Sequence, residues 1–404
     1  MNPKHALICF GVIIALLLVV SAGCRDNRKY RRYDPDPDDV GYQTTVAGGK
    51  GDQRRPDIAR NDLDRNFLVV YETDQFGDGD IVARELTAGV TFILIEGAAG
   101  AQRYPSVAYN SNANQYLVAW EDKRGGPAAD IYGRLIDADV GETIGNSFII
   151  TAAAADEEMP VVAFAEDSDV YCVAWQDDAS GKRDIRAVIL DSGGSPVTGA
   201  LDVCTETDNQ RDPRITYSPS EDEFFIVWTD YRNDAGPDIY GRLLEADGSF
   251  PYSDVEIMCQ NEQIETPDVV WNPLKRNYCV VASRLGSQAW QIVGRLLTRT
   301  GSASSSIKQL SMNWNDQRSP RVSYNPRKGR YNVVWEESER YYATQDIARR
   351  FFGSSLIPVA FTRIVSGSGI NQGPAVAVGD DGTIITVWTS FKNNSDDILS
   401  FVEK

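Results

Sequence analysis

Short apolar runs separated by polar turn residues occupy nearly all of the chain after residue 41, and they recur in one order. Each recurrence opens with a proline that leads into a short apolar run, and successive prolines lie 49 to 55 residues apart. Proline suits the first position of a strand because it donates no hydrogen bond to the ladder. The prolines are Pro56, Pro105, Pro160, Pro213, Pro267, Pro320 and Pro374.

Two further runs follow each proline. The first ends on an aromatic residue in six of the seven copies, and Ala282 is the exception. The second begins with Asp in most copies and has a small residue at its fourth position, which we interpret as room for the aromatic ring of the preceding strand. The aromatic residues are Tyr71, Trp120, Trp175, Trp228, Trp335 and Trp388. The small residues are Ala83, Gly133, Ala187, Gly241, Gly294, Ala348 and Ser400.

A fourth, weaker run precedes the next proline, so each copy predicts four short strands joined by hairpins. The last copy stops after its third strand, and the missing fourth run stands at the other end of the chain. Val46 lies ten residues before Pro56, just as Ile150 lies ten before Pro160. A strand supplied from the N-terminus would close a ring and remove its open sheet edges. The pattern therefore predicts an all-β fold over residues 42–404, a seven-bladed β-propeller of four-stranded antiparallel blades closed by an N-terminal strand.

The repeated motifs resemble those of exported bacterial β-propeller proteins, with P-x-V-A-Y, then Y-L-V-A-W-x-D, then D-I-Y-G-R-L. The resemblance covers residues 42–404 and implies the fold, but it does not indicate an activity. The Asp-box of sialidases and the Gly-His motif of WD repeats are both missing from the sequence.

The N-terminus carries a basic residue, Lys4, and then an apolar run from Ala6 to Val20, which is short for a membrane span. We interpret residues 1–23 as a signal peptide. Ser21-Ala22-Gly23-Cys24 resembles a bacterial lipobox, which implies lipidation of Cys24, and Arg25 after it resembles an outer-membrane sorting signal. Residues 24–41 are polar and lack an apolar period, so they predict a lipidated flexible tether. The expected location is the cell envelope, on the periplasmic or surface face of the outer membrane, or outside the cell.

The net charge of −18 disfavours nucleic acid as a partner, because an acidic surface repels phosphate backbones. The single histidine, His5, lies in the predicted signal peptide. The mature chain would then contain no histidine, which excludes Ser-His-Asp and Cys-His catalysis and ordinary His-ligated zinc or copper.

Charged residues occupy the position two before each proline, near the expected mouth of the central channel. They are Arg54, Arg103, Glu158, Arg211, Glu265 and Arg318, with Gln372 in the last copy. One interpretation is an anion-binding ring for an acidic glycan or peptide, since guanidinium groups hold carboxylates bidentately. The alternative is a set of salt bridges between blades that fixes the closure of the ring.

A second repeated set of arginines favours a structural role, because a contact between blades recurs whereas an active site is normally singular. These arginines are Arg84, Arg134, Arg242, Arg295 and Arg349, and their expected partners are Asp122, Asp177, Asp230 and Glu337. Trp290 in blade five has two interpretations. It is either an exposed ring that binds a partner or a packed ring that fills space left by Ala282.

Two questions of bonding stay open at this point. Asp74, Asp78 and Asp80 offer oxygen ligands for calcium on one loop, although Gly and Asp are also ordinary turn residues. Cys172, Cys204, Cys259 and Cys279 are either paired in disulfides or buried as free thiols, and spacing does not choose between these.

The sequence therefore favours a lipid-anchored binding or scaffold protein, expected as a monomer with a protein or glycan partner, no cofactor and no catalytic site. The alternative function is a carbohydrate-active glycosidase or lyase that works with carboxylates and tyrosine and needs no histidine.

Overall fold

The computed structural model describes residues 41–61, 63–86, 92–233, 236–259, 262–311, 315–338, 344–365, 369–392 and 394–404. Every regular element in these residues is a β-strand. Among them, no helix has the length and apolar character needed to cross a membrane. The predicted signal peptide, the tether and Cys24 lie outside the described residues.

The strands form four-stranded antiparallel units, each ordered as in the sequence from its first to its fourth strand. Unit 1 consists of β2 (Gln53–Asn61), β3 (Asn66–Thr73), β4 (Asp80–Glu85) and β5 (Phe92–Glu96). Unit 2 consists of β6 (Gln102–Asn110), β7 (Gln115–Asp122), β8 (Asp130–Asp137) and β9 (Glu142–Thr151). Unit 3 consists of β10 (Glu157–Ala165), β11 (Val170–Asp177), β12 (Asp184–Asp191) and β13 (Leu201–Cys204). Unit 4 consists of β14 (Gln210–Ser218), β15 (Glu223–Asp230), β16 (Asp238–Glu245) and β17 (Val255–Met258). Unit 5 consists of β18 (Ile264–Asn272), β19 (Asn277–Leu285), β20 (Trp290–Thr298) and β21 (Lys308–Gln309).

The remaining strands form one eight-stranded sheet that is built from two such units. Unit 6 consists of β22 (Asp316–Asn325), β23 (Arg330–Ser338), β24 (Gln345–Gly353) and β25 (Pro358–Val365); unit 7 consists of β26 (Ile370–Val378), β27 (Ile384–Lys392), β28 (Ser395–Glu403) and β1 (Tyr42–Ala47). A single parallel pair, Gln345 with Ile370, joins the two halves. The predicted all-β class and its four-stranded antiparallel unit are confirmed, whereas the number of blades depends on counting these halves separately and stays a prediction.

The N-terminal strand closes the ring as predicted. β1 pairs antiparallel with β28, and the register sets Tyr42 opposite Val402. Val46 is 2% exposed and belongs to an apolar cluster that also contains Phe67 of unit 1 and Val387 of unit 7. The first strand of unit 1, β2, contacts β6 of unit 2 and β26 of unit 7.

The second strand of each unit forms the core. β3, β7 and β15 are buried at every position, because neighbouring units cover both faces of the strand. The apolar clusters accordingly span adjacent units, as where Trp228 of unit 4 lies in one cluster with Cys172 of unit 3. The tryptophans that end these strands are among the largest fully buried side chains.

The structure corrects the explanation of the small position on the third strand. A Cβ added to Gly294 would lie 2.7 Å from Cδ1 of Leu310, and one added to Gly133 would lie 2.8 Å from Cδ1 of Ile150. The space is therefore filled in these units by an aliphatic side chain of the fourth run, and not by the preceding aromatic ring.

Unit 6 departs from the predicted alignment of that position. Trp120 pairs with Tyr132, one residue before the small Gly133, whereas Trp335 pairs with Ala348 itself. The small position of unit 6 is consequently occupied by Arg349, which is 1% exposed and forms an ion pair with Glu403 of unit 7. The expectation of a small residue in every copy was wrong, because a buried ion pair replaces the apolar contact here.

Candidate binding mouth and central channel

Each first strand contains a two-residue bulge at its proline. The register between first and second strands shifts there in every unit, as between Arg54 and Asp57. The residue before the proline has a positive φ near 50–60°, a conformation that costs energy for any residue except glycine. These residues are Arg55 (φ 52), Tyr104 (φ 50), Met159 (φ 53), Asp212 (φ 55), Thr266 (φ 54), Ser319 (φ 53) and Gly373 (φ 61).

The bulge turns a backbone N–H toward the preceding unit. The Thr266 N–H donates to Oγ1 of Thr229 at 3.1 Å, and the Gly373 N–H donates to Oε1 of Glu336 at 2.7 Å. Equivalent bonds run from Arg55 to Thr389, from Asp212 to Gln176 and from Ser319 to Ser283. The strained conformation is thus offset by a hydrogen bond that ties neighbouring units together at the start of their first strands.

We call this end of the ring the mouth. Most of the charged residues that stand two positions before the prolines form ion pairs within the protein. Arg54 forms ion pairs with Asp52 and Asp396. Nη2 of Arg183 lies 3.0 Å from Oε2 of Glu158. A further pair joins adjacent units, since Nη1 of Arg318 lies 3.8 Å from Oε1 of Glu265. These contacts favour the salt-bridge interpretation at those positions.

Arg211 and Arg103 differ from the other mouth residues. The Arg211 guanidinium lies 5.5 Å from the centroid of the Tyr231 ring. Arg103 is exposed, and the neighbouring Tyr104 ring is covered on one face by the Arg55 guanidinium at 4.1 Å. Arg55 is in turn held by Glu72 at 2.5 Å. The mouth therefore presents one basic and aromatic patch, formed by Arg55, Arg103 and Tyr104.

The Trp290 ring is packed within the protein and is not exposed to solvent. Its side chain is only 7% exposed, and the Arg318 guanidinium lies 4.3 Å from the ring centroid. The interpretation of an exposed ring is therefore wrong, because Arg318 covers the ring in a cation–π contact.

The second set of arginines is structural, but its expected partners were wrong. Nη1 of Arg134 donates to the carbonyl of Ile95 at 2.6 Å, and Nη1 of Arg295 donates to that of Ile257 at 2.6 Å. Each carbonyl belongs to the fourth strand of the preceding unit. Arg84, Arg242 and Arg350 make the same type of bond, to Val46, Val203 and Leu310. Arg350 takes the place expected for Arg349, because Trp335 pairs with Ala348 as Trp120 pairs with Tyr132, which makes Arg350 the equivalent of Arg134.

Two of the expected acidic partners, Asp122 and Asp230, instead bind residues close to them in sequence. Asp122 accepts from Nε1 of Trp120 at 2.8 Å and pairs with Arg124 at 2.6 Å. Asp230 binds Trp228 and Arg232 in the same way. The spacing W-x-D-x-R was the available signal for this contact.

The central channel contains a cavity of about 400 Å³ that is lined by the first strands. Its charged lining comes largely from the residue directly after the proline, which we call the channel position. Asp57, Arg214, Asp268 and Arg321 occupy it in units 1, 4, 5 and 6. No role was predicted for this position, although its residue type varies among units while the next residue is always Val or Ile.

Burial controls the electrostatics of the mouth and the channel. It raises the pKa of Glu121 to about 7, and the neighbouring Glu158 carboxylate adds to this shift. Burial also raises the pKa of Asp268, which Arg321 and Arg214 oppose. The pKa of Arg214 is lowered to about 10 by burial and by the like charge of Arg321. These channel groups border the lumen, yet surrounding protein atoms exclude most of the water that would solvate them.

The structure describes the side chains named in the calcium and disulfide alternatives. Asp74 accepts the backbone N–H of Asp52 at 2.5 Å, while Asp80 is buried. Within the described ranges, no group of three or more His, Cys, Asp or Glu side chains is arranged to hold a metal ion. Cys172, Cys204, Cys259 and Cys279 are all free thiols.

No protein-family model and no curated protein sequence matches the chain. A protein of unknown function from Dyadobacter fermentans is similar in structure, with a TM-score of 0.57 and 10% identity over 76% of this chain and 96% of that one. The Dos1 propeller has a TM-score of 0.52 and 11% identity, over 89% of this chain and 93% of its own. A prolyl endopeptidase has a TM-score of 0.50 and 14% identity, over 87% of this chain and 50% of its own. Likeness at such identities concerns the fold alone: this chain is an all-β protein with the β-propeller fold.

Proposed function

We propose that this protein is a lipid-anchored binding or scaffold protein of the bacterial cell envelope, which engages a protein or glycan through the mouth of its propeller. Lipidation of Cys24 and the tether of residues 24–41 would hold the propeller at the membrane. The tether would lead directly into the closing strand β1, which begins at Tyr42.

The observation that carries this proposal is the patch formed by Arg55, Arg103 and Tyr104. Arg103 is exposed at the mouth, whereas Arg54, Glu158, Glu265 and Arg318 have ionic partners within the protein. Exposed guanidinium groups beside an aromatic ring are typical of binding hot spots. In a protein with a net charge of −18, a local basic patch favours an acidic group on the partner.

The acidic group that best fits this patch is a carboxylate of a glycan or a peptide. A guanidinium can hold a carboxylate through two parallel hydrogen bonds, and an aromatic ring can pack against a sugar or an apolar side chain. The fixed position of Arg55 limits the entropy lost on binding, because Glu72 and Tyr104 already hold its side chain.

The experiment is crosslinking in cells with the wild type, Arg103→Glu and Lys275→Glu. Lys275 is exposed in the turn between β18 and β19, at the end of the ring opposite the mouth, so both variants make the same change of charge. We expect one partner to be recovered with the wild type and Lys275→Glu and lost with Arg103→Glu. Equal recovery with all three proteins would show that the patch is not the binding site.

The glycosidase or lyase alternative has no specific support. The channel carboxylates are the acids best placed for such chemistry, but both hold backbone N–H groups of the next unit. Asp57 Oδ2 accepts from Val107 N at 3.0 Å, and Asp268 Oδ2 accepts from Val322 N at 2.7 Å. These bonds assign both side chains to the joining of units, so we do not propose catalysis.

A further inference from the structure

The inner edge of each first strand directs a backbone N–H toward the channel, at the residue two after the proline. The Val107 N–H is accepted by Asp57 of the preceding unit, the Val162 N–H by Ser106 and the Val322 N–H by Asp268. A side chain at the channel position of one unit thus caps the first strand of the next. This capping matters because a buried N–H without an acceptor is costly.

The same register places the N–H groups of Ile215 and Val376 toward the channel, since Ile215 pairs with Ile226 as Val107 pairs with Val118. The channel residues of the preceding units are here Val161 and Arg321, and the units' own channel residues are Arg214 and Ala375. None of these four side chains has a hydrogen-bond acceptor. Both N–H groups therefore face the cavity without the cap that the other units provide.

Two guanidinium groups line the same cavity, Arg214 in unit 4 and Arg321 in unit 6. Nη1 of Arg214 donates to its neighbouring carbonyl, Pro213 O, at 2.9 Å, and Nη1 of Arg321 donates to Pro320 O at 2.9 Å. Nε of Arg214 is buried and has no hydrogen-bond partner. Among the described residues, neither guanidinium has a carboxylate within ion-pair distance.

We propose that the cavity of the central channel binds a small carboxylate anion through Arg214, Ile215, Arg321 and Val376. Guanidinium groups and backbone N–H groups together supply only donors, and a planar carboxylate matches the guanidinium fork. The cavity of about 400 Å³ has the size of a small-molecule site. Arg55 and Tyr104 of the mouth patch also line this cavity, but the proposal rests on Arg214 and Arg321 and does not depend on the function proposed above.

Asp268 sets the strength of this site. Its carboxylate lies between the units of Arg214 and Arg321 and attracts both guanidinium groups. It therefore competes with an anion for their charge, while it also accepts the N–H of Val322. Asp268→Asn would remove the charge and keep an oxygen that can accept this N–H.

The test is isothermal titration calorimetry of the purified full chain with sodium succinate, with sodium chloride at equal ionic strength as the blank. We expect saturable binding of succinate that weakens about tenfold or more in Arg214→Gln, as the loss of a charge-assisted hydrogen bond implies. Asp268→Asn should bind more tightly than the wild type, and Lys275→Glu, an exposed position outside the cavity lining, should bind equally well. Circular dichroism and thermal melts check that each variant is folded.

Three results would overturn the proposal. The first is the absence of saturable binding to the folded wild type. The second is binding of sodium phosphate in place of succinate, which would assign the site to another anion. The third is unchanged affinity in both Arg214→Gln and Arg321→Gln, which would place the carboxylate elsewhere. The two arginines are tested separately, so that misfolding of one variant leaves the other to decide.

Discussion

Val46 offers the most direct test of how the ring closes. It lies in β1, which precedes all the other described strands in the sequence but belongs to unit 7. The Val46 side chain is 2% exposed. The cluster around it combines residues of the first and last units, among them Phe67 and Val387. Val46→Ala removes two methyl groups from this apolar cluster between the first and last units. It leaves the backbone pairing of β1 with β28 in place.

The expected loss in the free energy of unfolding is about 2–3 kcal/mol. Each buried methyl or methylene group contributes about 0.8 kcal/mol, and incomplete collapse of the cavity adds a further cost of similar size. Thr44→Ala is the matched control, because Thr44 is exposed in the same strand, and we expect it to cost about 0.5 kcal/mol or less.

Thermal melts and limited proteolysis at fixed temperature measure the difference. Val46→Ala should lower the melting temperature by more than Thr44→Ala. It should also make the N-terminal segment easier to cleave, because β1 would separate from the first and last units before the rest of the protein unfolds. Deletion of residues 41–47 should have the same effect to a larger degree and promote aggregation through the open edge of β28. Equal melting temperatures for Val46→Ala, Thr44→Ala and the wild type would refute the view that β1 stabilises the ring.

Cys24→Ala should release the protein from the membrane fraction while the circular dichroism of the propeller is unchanged; retention in the detergent phase would contradict lipidation. Glu121→Gln should flatten the fall in melting temperature between pH 5 and pH 8. The folded pKa of about 7 lies above the unfolded value, so the stability present at low pH is lost as the pH rises through 7; an unaltered profile would argue against this. Gly294→Ala should destabilise the protein by about 1–3 kcal/mol, because the new Cβ would meet Leu310 at 2.7 Å. Gly199→Ala is its control, since nothing lies within 4 Å there, and equal stability of the two variants would show that Leu310 adapts.

The sequence was sufficient to predict the four-stranded unit and the role of the N-terminal strand, because both depend on spacing. The proline recurs at a nearly fixed interval, and Val46 keeps its distance from Pro56. It did not predict the contacts of the third strand in unit 6, because Arg349 was aligned as the equivalent of Arg134. The pairing of Trp335 with Ala348 makes Arg349 the equivalent of Gly133 and places it at the buried position beside Glu403.

The candidate site was predicted only in part, for a related reason. The charged positions of the mouth could be listed from the sequence, but a charge pattern does not reveal which partner a long side chain reaches. Arg318 covers Trp290, while Arg103 stays exposed. The channel position was missed because Asp57, a capping residue, and Arg214, a donor without a carboxylate partner, have no common chemistry that would mark them as one set.

The pairing of β1 with β28 also has a consequence for the order of events in synthesis. β1 is made before every other described strand, and its partner strand β28 is made after them. The seventh unit therefore cannot form until β28 has been produced, and until then the neighbouring units keep one face uncovered. A chain truncated before β28 would leave β1 without its partner strand, so its ring would stay open and expose a sheet edge at the truncation.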